Sequence, residues 1–117
     1  MHDVSLRRIY EPAPSGEGCR VLVDALWPRG VKREADTLDL WLKAVAPSTE
    51  LRRWFNHDVG RWPAFRKRYE EELRQPERAA AVDQLKALAN AGPLTLLYAA
   101  RDTEHNNAVV LKAILTG

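Results

Sequence analysis

The apolar positions of this 117-residue chain fall into two kinds of run, short continuous ones and longer ones spaced by three and four. The first continuous run, Val4–Tyr10, stops at Glu11-Pro12-Ala13-Pro14-Ser15-Gly16, a stretch of turn formers that ends a strand. A second strand is expected at Arg20–Leu26, with Val21, Val23 and Ala25 on one face and Leu22, Asp24 and Leu26 on the other. Both faces are largely apolar, as in a strand covered on both sides. Trp27-Pro28-Arg29-Gly30 ends it, because Pro28 cannot donate to a ladder. A third strand, Leu94–Ala100, has the same two-sided pattern.

Helical spacing fills the rest. Thr37 is placed to cap a helix carrying Leu38, Trp41, Leu42 and Val45. After Pro47-Ser48 comes a stripe of Leu51, Trp54 and Phe55, and after Asp58-Val59-Gly60 one of Trp62, Phe65, Tyr69 and Leu73, with Pro63 in its first turn. Pro76 opens a fourth helix that turns Val82, Leu85, Leu88 and Ala89 inward and ends at Gly92-Pro93. Thr103 is placed to cap a fifth, carrying Val110, Leu111 and Ile114. The expected fold is α/β: one domain over residues 1–117, with a small, mostly parallel sheet of about three strands and five packed helices. A helical excursion joins the second and third strands, which makes them parallel. The connection after the first strand is short and leaves its orientation open.

Composition narrows the class. The 18 Lys+Arg against 16 Asp+Glu give a net charge of +2, weak electrostatic drive for gripping a nucleic-acid backbone. A single Cys excludes a disulfide framework, and no His/Cys/Asp spacing suits zinc. No apolar run approaches the ~18 residues of a membrane span, and the N-terminus has no signal-peptide core, so a cytoplasmic protein without membrane contact is expected. Neither G-x-x-x-x-G-K-[ST] nor G-x-G-x-x-G occurs, and no cofactor is expected.

Ligands of open α/β sheets sit beyond the carboxyl ends of the strands. Two polar clusters fall there, Asp24 to Gly30 and Tyr98 to Asn107. Asp24, between Leu22 and Leu26, needs a cation or several donors, with Arg7, Arg29 and Arg101 as candidates. It reads either as a structural pin or as an acid, base or substrate orienter. Arg29, beside Gly30, and Arg101, before a helix N-terminus, suit bidentate binding of phosphate or carboxylate. Trp27, Tyr98, Asn106 and Asn107 complete the candidate pocket, and the two asparagines also fit a structural role at the 27–30 turn. His57 is a candidate base, with Asp58 equally suited to capping the next helix, and His105 is a further candidate. Cys19 reads as a small apolar filler.

Three stretches carry a family resemblance. Arg20-Val21-Leu22-Val23-Asp24-Ala25-Leu26-Trp27-Pro28-Arg29-Gly30 resembles the signature of the YeaO-like proteins, domain of unknown function family 488. The segments from Trp41 to Arg52 and from Leu96 to Leu111 agree with it. Nearly the whole chain is covered. The family pattern usually has Arg where this chain has Ala25, and often an aromatic residue at Cys19. If that Arg belongs to the family's site, any anion role here falls more heavily on Arg29 and Arg101. The resemblance implies a small, mostly prokaryotic α/β protein and brings no settled activity with it.

The favoured reading is binding of a small anion (phosphate, carboxylate or nucleotide-like) at the carboxyl edge of the sheet. In its enzymatic version Asp24 or His57 moves protons. The alternative is a nucleic-acid-associated or protein-interaction module built on Arg52, Arg53, Arg61, Arg66, Lys67 and Arg68, with Trp54 or Trp62 for stacking. Oligomeric state is left open.

Overall fold

The structure, a computed structural model, describes residues 2–14, 16–33 and 38–117. Four strands form one sheet: β1 (Val4–Arg8), β2 (Cys19–Leu22), β3 (Leu40–Trp41) and β4 (Leu94–Tyr98). Their order is β1-β4-β2-β3 and every pairing is parallel. The orientation of β1 is thereby settled, since Val4 to Arg8 pair in register with Leu94 to Tyr98. β2 and β4 are parallel neighbours, as the helical excursion between them required.

Alternation along β4 divides the core. Leu94, Leu96 and Tyr98 join Val4, Val21 and Val23 on the face that all four α-helices cover. Those helices are α1 (Thr49–Phe55), α2 (Trp62–Glu72), α3 (Pro76–Ala91) and α4 (Asn107–Thr116). The opposite face holds Leu22, Leu97 and Ile9 beneath Trp27, Val31, Leu38 and Trp41, so irregular chain covers it rather than a helix. Toward the strand starts that face is polar. Glu17 there lies between the guanidinium groups of Arg7 and Arg20 with its side chain 8% exposed.

Three expectations need correction. The helix expected from Thr37 through Val45 is instead strand β3 followed by a 3-10 turn at Lys43–Val45, and Thr37 itself lies outside the described residues. The reason is visible in the packing: Leu42 and Val45 enter the main core while Leu38 and Trp41 enter the smaller one. A helix would place all four on one face; an extended segment that turns after Trp41 serves both. Among the described residues there are accordingly four α-helices, not five.

Strand β2 ends at Leu22 rather than Leu26. Val23 N–H still reaches Leu97 O at 3.1 Å, but Asp24 then turns and offers its carboxylate in place of a further ladder bond. The last helix begins at Asn107, capped by Asn106, whose Oδ1 accepts from Val109 N–H at 3.2 Å. Thr103 does not cap it, because Asp102 gathers the N–H groups of Glu104 and His105 and holds residues 102–105 as a turn.

The remaining ends follow local chemistry. Ser48 caps α1, accepting from Leu51 N–H at 3.1 Å, and its hydroxyl donates to Glu72 Oε2 at 2.5 Å, which ties α1 to the end of α2. Pro63 and Pro76 sit in first turns, where a missing N–H costs nothing. Cys19 packs against the main core as a small apolar side chain, and burial, with Asp39 nearby, pushes its thiol pKa up.

Gly18 sets where β2 begins. Its φ is +77° and a Cβ there would fall on the Pro93 carbonyl oxygen, which accepts from Cys19 N–H at 3.0 Å. Gly18→Ala is expected to cost more than about 1 kcal/mol, since both the backbone region and the space are closed to a side chain. Urea unfolding checks this, and an unchanged midpoint would contradict it.

Candidate functional site

Because β2 and β4 are parallel neighbours, the segments that follow them leave the same edge of the sheet. Between them lies a cleft of about 780 Å³. Asp24 to Arg29 form one wall, residues 99–102 and 105–107 another, and α1 with the Asn56-His57 corner a third.

Asp24 joins the first two walls. Ala99 N–H donates to its Oδ2 at 2.9 Å, a bond between the ends of neighbouring strands. Burial raises the Asp24 pKa; the Ala99 N–H, the Asn107 amide and the charge of Arg52 pull it the other way. The cation acting on Asp24 is therefore Arg52 on α1, and none of the three expected arginines. Arg7 is occupied by Glu17 and Glu11, while Arg29 and Arg101 are exposed at the cleft.

Arg52 Nη2 donates to Thr49 Oγ1 at 3.0 Å, and its buried Nε meets no acceptor among the described residues. Arg53 lines the cleft as well. The alternative reading of the sequence groups both arginines with Arg61, Arg66, Lys67 and Arg68 on a basic surface; no local signal says that α1 borders the sheet edge. Behind this wall Tyr69 is fully buried and donates to Val45 O at 2.5 Å. Burial, with Asp24 nearby, lifts the Tyr69 pKa well above the usual phenol range.

The two asparagines act as staples. Asn107 Nδ2 donates to Val23 O at 2.9 Å, holding α4 to the end of β2 rather than to the turn at residues 27–30. Asn106, 3% exposed, donates to Asp102 O at 2.9 Å while capping α4. Their placement points the N-terminus of α4 toward the cleft, where its dipole favours negative charge.

Trp27 lines the cleft and is held by Nε1–H donating to Val31 O at 2.7 Å, by edge contact with Trp41 at 5.3 Å, and by the Arg33 guanidinium over its ring. Tyr10 hydroxyl donates to Arg29 O at 2.9 Å and pins the turn from outside. Gly30, at φ +80°, shapes that turn but does not line the cleft. Tyr98 is buried in β4 and is likewise absent from the lining. Ala25, where the family pattern has Arg, is part of the cleft wall.

His57 stands at the rim with φ +56°, after Asn56 at φ +45°, so two consecutive residues occupy the left-handed region. Asp58 does not pair with it; Asp58 Oδ1 accepts from Gly60 N–H at 2.9 Å and caps the turn leading into α2. The histidine with a carboxylate partner is His105, whose Nδ1 lies 2.9 Å from Asp102 Oδ2 and whose ring meets Trp62 edge-on. The i, i+3 spacing of Asp102 and His105 was the signal for that pair. Backbone N–H donation from Glu104, ahead of the contacts with His105, lowers the Asp102 pKa.

On the outer basic surface, Arg61 and Arg68 both lie over the Trp54 ring, and Arg61 and Arg66 pair with Asp58 and Glu70. No helix among the described residues is long and apolar enough to cross a membrane, and none of their His, Cys, Asp and Glu side chains group in threes that could hold a metal.

A pKa raised by burial means that the protonated carboxyl of Asp24 favours the folded chain. That contribution is complete below the ordinary carboxylate pKa and is lost as pH rises through the raised folded value. Asp24→Asn keeps an oxygen for Ala99 N–H and has no charge to bury. Its stability relative to the parent chain should therefore increase between about pH 4 and about pH 7. Urea unfolding across that range reads the difference, and a difference flat with pH would contradict the account.

Comparison with known proteins agrees with the sequence signature. The chain is 44% identical over 109 residues to the uncharacterised protein YeaO of Escherichia coli K12, covering 93% of each. It is 38% identical over 114 residues to the uncharacterised protein Rv3073c of Mycobacterium tuberculosis H37Rv, covering 97% of this chain and 94% of that one. No solved structure matches it at a significant level. Residues 3–117 match the family described as "Inactive DUF488-N3 subclade", and with these relatives the chain belongs to the YeaO-like DUF488 family.

Proposed function

We propose that the chain binds a small anion in the cleft at the carboxyl edge of its sheet, as a binding protein rather than a catalyst. The observation that carries this reading is the gathering of four arginines, Arg29, Arg52, Arg53 and Arg101, in one cleft at the strand ends. Guanidinium groups bind phosphate and carboxylate through paired N–H donors, which suits an anionic ligand. Among the described residues only two carboxylates, Asp24 and Asp102, line the same cleft. The N-terminus of α4 adds its dipole.

The enzymatic version has less support. His57 has no carboxylate partner to orient it among the described residues, its neighbour Asp58 being turned to Gly60 N–H. Binding without turnover also fits the word "inactive" in the family description. The nucleic-acid reading asks Trp54 to stack on bases, although two guanidinium groups already cover its ring.

Phosphate or sulfate should raise the melting temperature. At about tenfold its Kd a ligand adds about 1.4 kcal/mol, several degrees for a chain of this size. Substituting Arg29→Ala together with Arg101→Ala, both exposed, should leave the unliganded stability within about 0.5 kcal/mol of the parent and abolish most of the shift. Differential scanning calorimetry checks this. Equal shifts in the parent and the double variant would contradict the assignment.

A further inference from the structure

We propose that the anion is a free nucleoside monophosphate, with its phosphate on the arginines and its base along the apolar wall; this inference rests on the anion-binding reading and names its ligand class. Size is the first argument. A cleft of about 780 Å³ lies within the ~300–1,000 Å³ typical of sites for whole small molecules, so an inorganic ion fills only part of it.

The lining is the second argument, because it is of two kinds. Arg29, Arg52 and Arg101 present guanidinium groups, whereas Leu26, Trp27 and Phe55 present apolar surface. Leu26 is 66% exposed, so the apolar wall continues from Trp27 to the mouth. An inorganic ion has nothing to place against that wall, while a base does, chiefly at the exposed Leu26 side chain, since the Trp27 ring is already met by Arg33 and Trp41.

Asp24 supplies the third. Its carboxylate lies in the lining of an otherwise cationic and apolar cleft and accepts hydrogen bonds. The N–H groups of a heterocyclic base can meet such an acceptor; a simple aliphatic or aryl anion brings no donor and leaves it opposed by like charge.

The same group could arrive as the phosphorylated end of a nucleic-acid strand. The free form is favoured because three of the arginines around Trp54 are already engaged: Arg61 and Arg66 with carboxylates, Arg68 with the Trp54 ring. Strand binding draws on a run of available cations.

Isothermal titration of the full chain tests the proposal. The probes are inorganic phosphate, adenosine and uridine monophosphates, and a short 5′-phosphorylated strand. Leu26→Ser is the diagnostic variant, since so exposed a side chain can be removed without loss of the fold. At least one monophosphate should bind tenfold or more tightly than phosphate. Leu26→Ser should remove most of that advantage and leave phosphate binding unchanged, and the strand should bind no tighter than the better monophosphate. Equal affinity for phosphate and both monophosphates, or no effect of Leu26→Ser on them, would overturn the nucleotide assignment and leave anion binding standing. Binding of neither phosphate nor monophosphate would overturn both. A strand bound tenfold more tightly than either monophosphate would overturn the free form.

Discussion

Asp24 sits where β2 stops being a strand, and its bond to Ala99 N–H is the joint on which the site depends. Two parallel strands that simply ended would leave unpaired N–H and C=O groups at the edge, and their following loops could diverge. Here the carboxylate takes the next N–H of β4, while Asn107 takes the carbonyl of Val23. The strand ends are thus closed by side chains rather than by more ladder. Both outgoing loops are held at one edge, and a cleft opens between them.

This arrangement places a carboxylate in a partly buried position, which desolvation opposes. Three things offset that cost: the Ala99 N–H, the Asn107 amide and the charge of Arg52. The same Arg52 lines the cleft, where its charge favours an anion. The stabilisation of Asp24 and the attraction for an anion therefore come from one side chain. The arginines at the sheet edge also differ in kind from those on α2. Arg66 and Arg68 are spent on Glu70 and Trp54, whereas Arg29 and Arg101 reach the cleft without an ion pair among the described residues.

Much of the fold could be read from residue patterns because its strands obey simple rules. Leu94 to Tyr98 are apolar on both sides and buried on both sides, and the helices of α2 and α3 begin at the prolines that marked them. Strand β3 could not be read, because Leu38, Trp41, Leu42 and Val45 keep helical spacing while dividing between two cores. Only the tertiary partners, Val21 and Leu22, decide in favour of a strand. For the site, eight candidates, among them Asp24, Arg29 and Asn107, lie in one cleft because parallel strands place their ends together. Tyr98 and Gly30 lie outside it, the first buried by its own strand and the second turned to solvent. Arg52 could not be placed in the cleft for the opposite reason: the position of α1 beside the sheet edge is set by long-range packing that no local pattern records.

The most direct test is an amide NMR titration of the full chain with inorganic phosphate. The account predicts shifts confined to three segments: residues 24–29, 52–57 and 99–107, with Ala99 N–H among them. Shifts centred instead on Arg66 to Arg68, or none at saturating phosphate, would contradict it.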